Sequence, residues 1–263
     1  MATPKRPRVL VVEDEPDMNN LLADVLSAFD LEPIQAADAQ QALQALDREP
    51  VDAVLLDLML PGLSGYELCR RLKTARRTQT IPILILTALD RPPNRRSAYQ
   101  AGADDYMTKP FAPDALIARL RSCMEAADRT LAGASCLSLT IEPNGSLDDL
   151  RALNVLATSL YCRSDLAPEI VEAIRQQLAS VAEAAGTWAA EHGGAPPMRL
   201  AMTLDDERLR LRFEPTSADA GPFLSRRLAP GASVPAMLID AGAIDRADGD
   251  GETIVFEKAL PRE

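Results

Sequence analysis

Residues 8 to 128 alternate short apolar runs with longer amphipathic stretches, and this alternation restricts the fold more than any other feature of the chain. Runs such as RVLVV and IPILILT are short and continuously apolar, whereas MNNLLADVLSAF has the spacing of a helix with one apolar face. Strands that are apolar along their whole length are buried on both sides, as in a parallel sheet covered by helices. The pattern therefore predicts repeated strand-helix units and a doubly wound α/β domain.

Five strands and five helices are predicted in this region, and a linker follows them. The strands are placed near residues 8–12, 33–36, 52–57, 81–86 and 103–107, and the helices near 15–29, 39–48, 65–76, 92–101 and 112–127. The small, weakly patterned segment RTLAGAS at 129–135 is the predicted linker. It separates a first domain at 1–128 from a second at 136–263.

Polar side chains stand at the ends of four of these strands. Glu13 and Asp14 come directly after the first strand, and Asp57 ends the third. Thr87 ends the fourth strand, and Lys109 follows the fifth. Because ligands bind beyond the carboxyl ends of the strands in an open parallel sheet, we expect these five side chains to converge.

Three carboxylates brought together repel one another, so the arrangement predicts a cation among them. Mg²⁺ fits best because it prefers oxygen ligands and is commonly bound by carboxylates together with a phosphate oxygen. Asp57 is then the predicted nucleophile that accepts a phosphoryl group. Lys109 and the Thr87 hydroxyl are expected to balance charge on the transferring oxygens. Any one acidic residue is also explained as a helix cap, but their joint position favours phosphoryl transfer.

The segments VLVVEDEP, VLLDLMLPGLSGYE, ILILTA and GADDYMTKPF resemble those of bacterial response-regulator receiver domains, over about residues 8–128. The resemblance implies that Asp57 is the phosphoacceptor and that Lys109 senses the phosphate. It also implies a set of Mg²⁺ ligands at one edge of the sheet: Glu13, Asp14, Asp57 and the backbone carbonyl of Met59. A cognate histidine kinase or phosphotransferase is the implied phosphoryl donor.

The same resemblance implies a switch formed by Thr87 and Tyr106. Phosphate on Asp57 is expected to draw in Thr87 and change the rotamer of Tyr106, which alters the face made by the fourth helix, fifth strand and fifth helix. Without the resemblance, an aromatic residue in a terminal strand is explained as core.

The second half has a different order of elements. The run CLSLTI predicts a strand, Ser146 is expected to cap a helix, and a longer helix is predicted from Pro168 to Gly193. Then come a strand pair, MRLAMTL and RLRLRFE, an irregular segment at 215–234, a short helix near 236–242 and a last strand, ETIVFEKAL.

This order, over about residues 136–260, resembles the ATP-binding fold of anti-sigma-factor serine kinases and histidine kinases, an α+β two-layer sandwich. Where that family has Glu followed four residues later by a Mg²⁺-binding Asn, this chain has Glu183 and Thr187. The segments RFEPTSADAGPF and GASVPAM lack the family's adenine-binding and phosphate-loop patterns. We therefore expect a degenerate relative that does not bind ATP and serves as a protein-binding scaffold.

Composition limits the classes of partner. The formal net charge is -11, and the second half has a single lysine, Lys258, which argues against a DNA-binding surface. The four cysteines have no spacing typical of a zinc site. The N-terminal apolar run stops at Glu13, too short for a signal peptide or membrane span, so a cytoplasmic protein is expected.

These observations favour a phosphorylation-controlled regulator that acts through a downstream regulatory protein, not an enzyme beyond its own phosphoryl transfer and dephosphorylation. One alternative is a receiver-controlled serine kinase that retains ATP binding. Another is a dimerisation or phosphotransfer module in which helices 146–163 and 168–192 form a hairpin. A homodimer is an alternative assembly on that basis. Glu183 is interpreted as solvated, and His192, the only histidine, as a helix cap.

Overall fold

A computed structural model of the protein describes residues 6–88, 91–131, 136–164, 166–205, 207–249 and 253–260. The chain divides into two compact units, residues 1–129 and 130–263. Residues 132–135 of the predicted linker lie outside the described residues. Among the described residues, no helix is both long enough and apolar enough to cross a membrane.

The first unit alternates strands and helices along its whole length. Its elements are β1 (Arg8–Val12), α1 (Pro16–Ala28), β2 (Glu32–Ala36), α2 (Ala39–Arg48), β3 (Ala53–Leu56), α3 (Gly65–Thr74), β4 (Ile83–Thr87), α4 (Pro92–Gln100), β5 (Asp105–Thr108) and α5 (Pro113–Leu131). The strands form one parallel sheet in the order β2-β1-β3-β4-β5. The predicted α/β architecture with five parallel strands is confirmed.

Both faces of this sheet are apolar because successive side chains of a strand point to opposite sides. Leu22 of α1 and Leu116 of α5 pack with Val9 and Leu84 in one core, so α1 and α5 cover the same face. The buried side chain of Leu10 points to the opposite face. Burial on both sides explains the continuously apolar strands.

Two strands, β4 and β5, begin two residues later than the pattern predicts. The backbone N–H of Ile83 donates to the carboxylate of Asp104 at 2.8 Å, and β4 begins at that residue, not at 81. Ala103 donates its N–H to the carbonyl of Ala98 at 3.1 Å, so it belongs to the turn that ends α4 and not to β5. At the other end of the unit, α5 continues to Leu131 and enters the predicted linker.

The second unit is an antiparallel sheet with helices. Its elements are β6 (Cys136–Ile141), α6 (Leu147–Arg163), α7 (Pro168–Glu191), β7 (Met198–Asp205), β8 (Arg208–Pro215), α8 (Gly221–Leu228), α9 (Ser233–Asp240), β9 (Arg246–Gly249) and β10 (Ile254–Ala259). The sheet order is β6-β7-β8-β10-β9. Buried and accessible residues alternate along β7 and β8, so one face meets the helices and the other is polar.

Some predictions for this unit are confirmed and others are wrong. Ser146 caps α6 in a reciprocal box with Asp149, as expected. The segment predicted to be irregular contains a 3-10 turn at Ala218–Ala220 and all of α8, and the helix predicted at 236–242 is α9, which begins at 233. Strand β9 was not predicted, because its sequence RADG lacks β-forming residues and its place comes from pairing with β10.

Gly186 in α7 allows the chain before α6 to approach the helix closely. A Cβ atom at this position would lie 2.5 Å from the backbone oxygen of Asn144 and 2.8 Å from the Cα atom of Gly145. Both obstacles are backbone atoms, which cannot move aside as a flexible side chain does. Gly186 is therefore required by packing, although a glycine inside a helix is intrinsically unfavourable.

We predict that Gly186→Ala lowers the free energy of unfolding of the second unit by about 2 kcal/mol, since overpacking outweighs the higher helix propensity of alanine. Urea unfolding followed by fluorescence of Trp188, the only tryptophan, measures this change. Gly221→Ala is the matched control, because a Cβ atom there has nothing within 4 Å. Equal free energies of unfolding for the two variants would contradict the requirement for glycine at position 186.

Candidate functional site

Three carboxylates meet at the carboxyl end of the first sheet. Glu13, Asp14 and Asp57 each offer one carboxylate oxygen, and these oxygens all lie within 4.8 Å of one another. Glu13 and Asp57 are buried, whereas Asp14 is exposed. The structure thus brings together the predicted acidic side chains from the ends of β1 and β3.

Lys109 places its ammonium group between the two buried carboxylates. Its Nζ donates to Glu13 Oε2 at 2.5 Å and to Asp57 Oδ2 at 2.8 Å. The lysine side chain is 13% exposed, so water screens these contacts only weakly. The predicted convergence of Lys109 with the acidic residues is therefore present.

Burial and mutual attraction oppose each other in this cluster. Burial raises the pKa of the Glu13 carboxyl above its ordinary value, and the hydrogen bond from Lys109 offsets only part of that effect. Burial also disfavours the charged form of Lys109, but hydrogen bonds to Asp57 and Glu13 outweigh it, so the pKa of Lys109 lies above its ordinary value. Lys109 consequently stays protonated at neutral pH.

Asn19 is a positioning residue that the sequence pattern did not predict. Its Nδ2 donates to the backbone carbonyls of Glu13 at 2.8 Å and Ala36 at 3.0 Å, which ties the loop after β1 to the end of β2. Asn19 is buried and shares the inner face of α1 with Leu22 and Leu26. An amide at an apolar position of the helix pattern was the available signal.

The loop after Asp57 is equally constrained. The N–H of Asp57 donates to the carbonyl of Val12 at 3.0 Å, and the N–H of Met59 donates to Asp57 Oδ1 at 3.2 Å. Met59 is 61% exposed, and the contact of its N–H with Asp57 puts its backbone beside the cluster. A Cβ atom on Gly65 would lie 2.2 Å from the carbonyl oxygen of Asp57. Gly65 therefore allows α3 to begin directly against this loop.

Thr87 and Tyr106 lie on neighbouring strands. In the pairing of β4 with β5, Thr87 is opposite Thr108 and Ile85 is opposite Tyr106, which puts Thr87 and Tyr106 on the same face of the sheet. Both residues are buried. The guanidinium carbon of Arg95, on α4, lies 5.7 Å from the centre of the Tyr106 ring. This cation-π contact covers the tyrosine from the α4 side.

The donor set fits a hard divalent cation. Glu13, Asp14 and Asp57 supply only oxygen atoms, and the exposed position of Asp14 leaves one side open to water. Mg²⁺ prefers oxygen ligands and retains several of its waters, so the residues present are suited to it. Lys109 forms ion pairs with Glu13 and Asp57 and leaves the carboxylate of Asp14 available to the cation.

The residues singled out in the second unit do not form a comparable cluster. Glu183 and Thr187 are exposed on α7, and the Thr187 hydroxyl donates to the Glu183 carbonyl at 3.3 Å. His192 is the C-terminal cap of α7, with Nδ1 2.8 Å from the carbonyl oxygen of Trp188. The prediction that His192 interacts with the helix end is confirmed.

Comparison with known proteins identifies the first unit. Residues 9–121 match the family described as response regulator receiver domain. Transcriptional regulatory protein TcrA of Mycobacterium tuberculosis is 47% identical over 115 residues, 44% of this chain and 45% of that protein. Phosphate regulon transcriptional regulatory protein PhoB of Pseudomonas aeruginosa is 44% identical over 117 residues, 44% of this chain and 51% of that protein. The chain thus spans about half the length of these curated relatives.

Similar solved structures include a putative response regulator from Chloroflexus aurantiacus. It is 36% identical, with a TM-score of 0.45, and the match covers 46% of this chain and 99% of that one. Another is the receiver domain of a sensor histidine kinase from Pseudomonas aeruginosa, with a magnesium ion coordinated in its active-site cleft. It is 30% identical, with a TM-score of 0.44, and the match covers 46% of this chain and 99% of that one.

We predict that Gly65→Ala displaces the backbone at Asp57 and destabilises the edge of the sheet that carries it. A strain of about 2 kcal/mol corresponds to about 30-fold less protection of the β3 amides from hydrogen exchange. Gly62→Asn is the control in the same loop, because Gly62 has open space around it and a positive φ that asparagine tolerates. Unchanged β3 protection in Gly65→Ala would contradict this account of the loop.

Proposed function

Residues 9–121 of this chain are a response regulator receiver domain, and we propose that phosphorylation of Asp57 in this domain controls which protein the second unit binds. One observation carries the first half of the proposal. Asp57 is a buried carboxylate that contacts Lys109 at 2.8 Å and lies beside two further carboxylates. That combination favours phosphoryl transfer, because both charge signs needed around a phosphate and its metal ion are in place.

The phosphoryl donor is a phosphohistidine on a kinase or phosphotransferase, as receiver domains imply. A carboxylate oxygen of Asp57 attacks the phosphorus atom, and the new P–O bond forms as the P–N bond breaks. The imidazole leaves with the bonding electron pair and takes up a proton. Lys109 donates hydrogen bonds to the acceptor carboxylate and balances charge that develops on the transferred oxygens.

Glu13, Asp14, Asp57 and the backbone carbonyl of Met59 are the residues that would hold Mg²⁺. When bound there, Mg²⁺ would offset the repulsion among the carboxylates and balance negative charge on the phosphoryl oxygens. Asn19 and Gly65 keep the two loops that carry these ligands in place.

The response to phosphate is a change of the surface made by α4, β5 and α5. The Thr87 hydroxyl moves toward the phosphoryl group, and the space it leaves determines the rotamer of Tyr106 on the same face. Arg95 lies over that ring, so movement of Tyr106 also changes its contact with α4. Two arrangements of one packed surface are enough to alter binding without a catalytic pocket.

The polar face of the second sheet supports a protein partner, not DNA. Arginines from β7, β8 and β9 lie on this face, and carboxylates neutralise them instead of leaving the clustered positive charge that phosphate binding needs. The pairs are Arg199 with Glu142 at 2.9 Å, Arg210 with Glu257 at 2.8 Å, Arg212 with Glu214 at 2.8 Å and Arg246 with Asp248 at 3.2 Å.

We propose that the second unit is a degenerate relative of the ATP-binding fold, in a protein of the cytoplasm without further enzyme activity. Thr187 stands where the family has its Mg²⁺-binding Asn, and its hydroxyl donates to the carbonyl of Glu183 in the same helix, so it does not replace the missing amide. A serine kinase with retained ATP binding is the enzyme-class alternative. A homodimer built on α6 and α7 is the other, and a dimer that forms regardless of phosphate would favour it.

We predict that beryllofluoride with Mg²⁺, which mimics the aspartyl phosphate, changes the set of proteins captured from native lysate by the full chain. Asp57→Ala protein should capture the same set with and without the treatment, since its phosphoacceptor is absent. Asp24→Ala is the control, because Asp24 is an exposed acidic residue of α1 outside the cluster. Identical partner sets for treated and untreated wild-type protein would contradict the proposal.

A further inference from the structure

A cavity of about 450 Å³ lies in the second unit between the C-terminal half of α7 and α8. Trp188 and His192 line it from α7, and Phe223, Arg226 and Arg227 line it from α8. Its volume is in the range of small-molecule sites, but its lining is more polar than is typical of them, with four charged side chains beside the aromatic ones. None of these residues takes part in the receiver chemistry.

The aromatic side chains form a preorganised wall. The rings of Trp188 and Phe223 lie 6.2 Å apart between centroids and are tilted by 55°. On Trp188 the imidazole of His192 stacks at 4.0 Å and nearly parallel, held by the contact of Nδ1 with the Trp188 carbonyl. The described residues provide no acceptor for the indole N–H of Trp188, so that donor is available to a ligand.

The two arginines of α8 differ from most others in this unit. Six described arginines have a carboxylate within 4 Å: Arg151, Arg175, Arg199, Arg210, Arg212 and Arg246. Arg226 and Arg227 have no such partner among the residues that the structure describes, and Arg227 lies 5.7 Å from the Phe223 ring centre. Guanidinium groups beside an aromatic wall bind carboxylates and phosphates through charge-assisted hydrogen bonds.

Acidic residues limit the charge that the cavity accepts. Glu191 and Asp219 also line it, and their charges formally cancel those of Arg226 and Arg227. The lining therefore has donors for one anionic group but no net positive charge for a polyanion such as a triphosphate.

We propose that this cavity binds a small aromatic monoanion. Its planar ring lies against Trp188 and Phe223, and its carboxylate or phosphodiester group accepts hydrogen bonds from Arg226 and Arg227. The site is independent of Asp57, so its presence or absence leaves the proposed function of the receiver domain unaffected.

Fluorescence of Trp188 reports directly on this cavity, because it is the only tryptophan of the chain. The full chain is titrated separately with phenylacetate, cyclic AMP, neutral phenylacetamide and Mg-ATP. We expect saturable fluorescence changes with phenylacetate or cyclic AMP, and the probe that saturates distinguishes a carboxylate site from a phosphodiester site. Phenylacetamide should bind about tenfold or more weakly than phenylacetate at a carboxylate site, since it lacks the charge; adenosine is the matched neutral probe for cyclic AMP.

Variants test the role of the two arginines. Arg226→Gln combined with Arg227→Gln should weaken binding of the anion by about tenfold or more, whereas Arg210→Gln, on the polar sheet face, should leave it unchanged. Thermal unfolding checks that each variant is folded. If the double variant does not fold, the comparison of charged with neutral probes in wild-type protein tests the proposal instead. Lack of saturation by both anions, equal binding of the neutral probe, indifference to the arginine variants, or tighter binding of Mg-ATP would each overturn the proposal.

Discussion

The contact of Lys109 with Glu13 and Asp57 is the interaction on which the receiver unit depends. Lys109 is 96 positions from Glu13 and 52 positions from Asp57 in the chain. The three residues meet only when β1, β3 and β5 end at the same edge of one sheet. An unpaired buried charge is costly, so the cluster penalises arrangements that separate its members. Under the proposed function the same contact makes the site responsive, because a phosphoryl group on Asp57 would change the charge that Lys109 balances.

Much of this unit could be predicted from the sequence because two independent patterns agree. Continuously apolar runs predict buried parallel strands, and the polar residues at their ends predict one site at the edge where those strands finish. The positioning residues were harder to find. Asn19 appears as a polar residue in a helix, and the need for glycine at position 65 appears only when α3 approaches the carbonyl of Asp57.

The second unit shows where sequence patterns become insufficient. Its long strands and the Ser146 cap follow from local rules, and both are present. Helix α8 has only eight residues, too few for a clear periodicity, and the four residues of β9 depend on pairing with β10. The aromatic and arginine cavity could not be predicted either, since Trp188 and Phe223 meet only after α7 and α8 have packed.

Locating the phosphoryl group in the full chain is the most direct measurement of the central claim. Protein phosphorylated with acetyl phosphate and Mg²⁺ is reduced with borohydride, which converts an aspartyl phosphate to homoserine, and its peptides are sequenced by mass spectrometry. The account predicts homoserine at position 57, dependent on Mg²⁺ and absent from Asp57→Ala protein. A phosphoryl group that persists in Asp57→Ala protein, or that maps to His192 in place of Asp57, would contradict it.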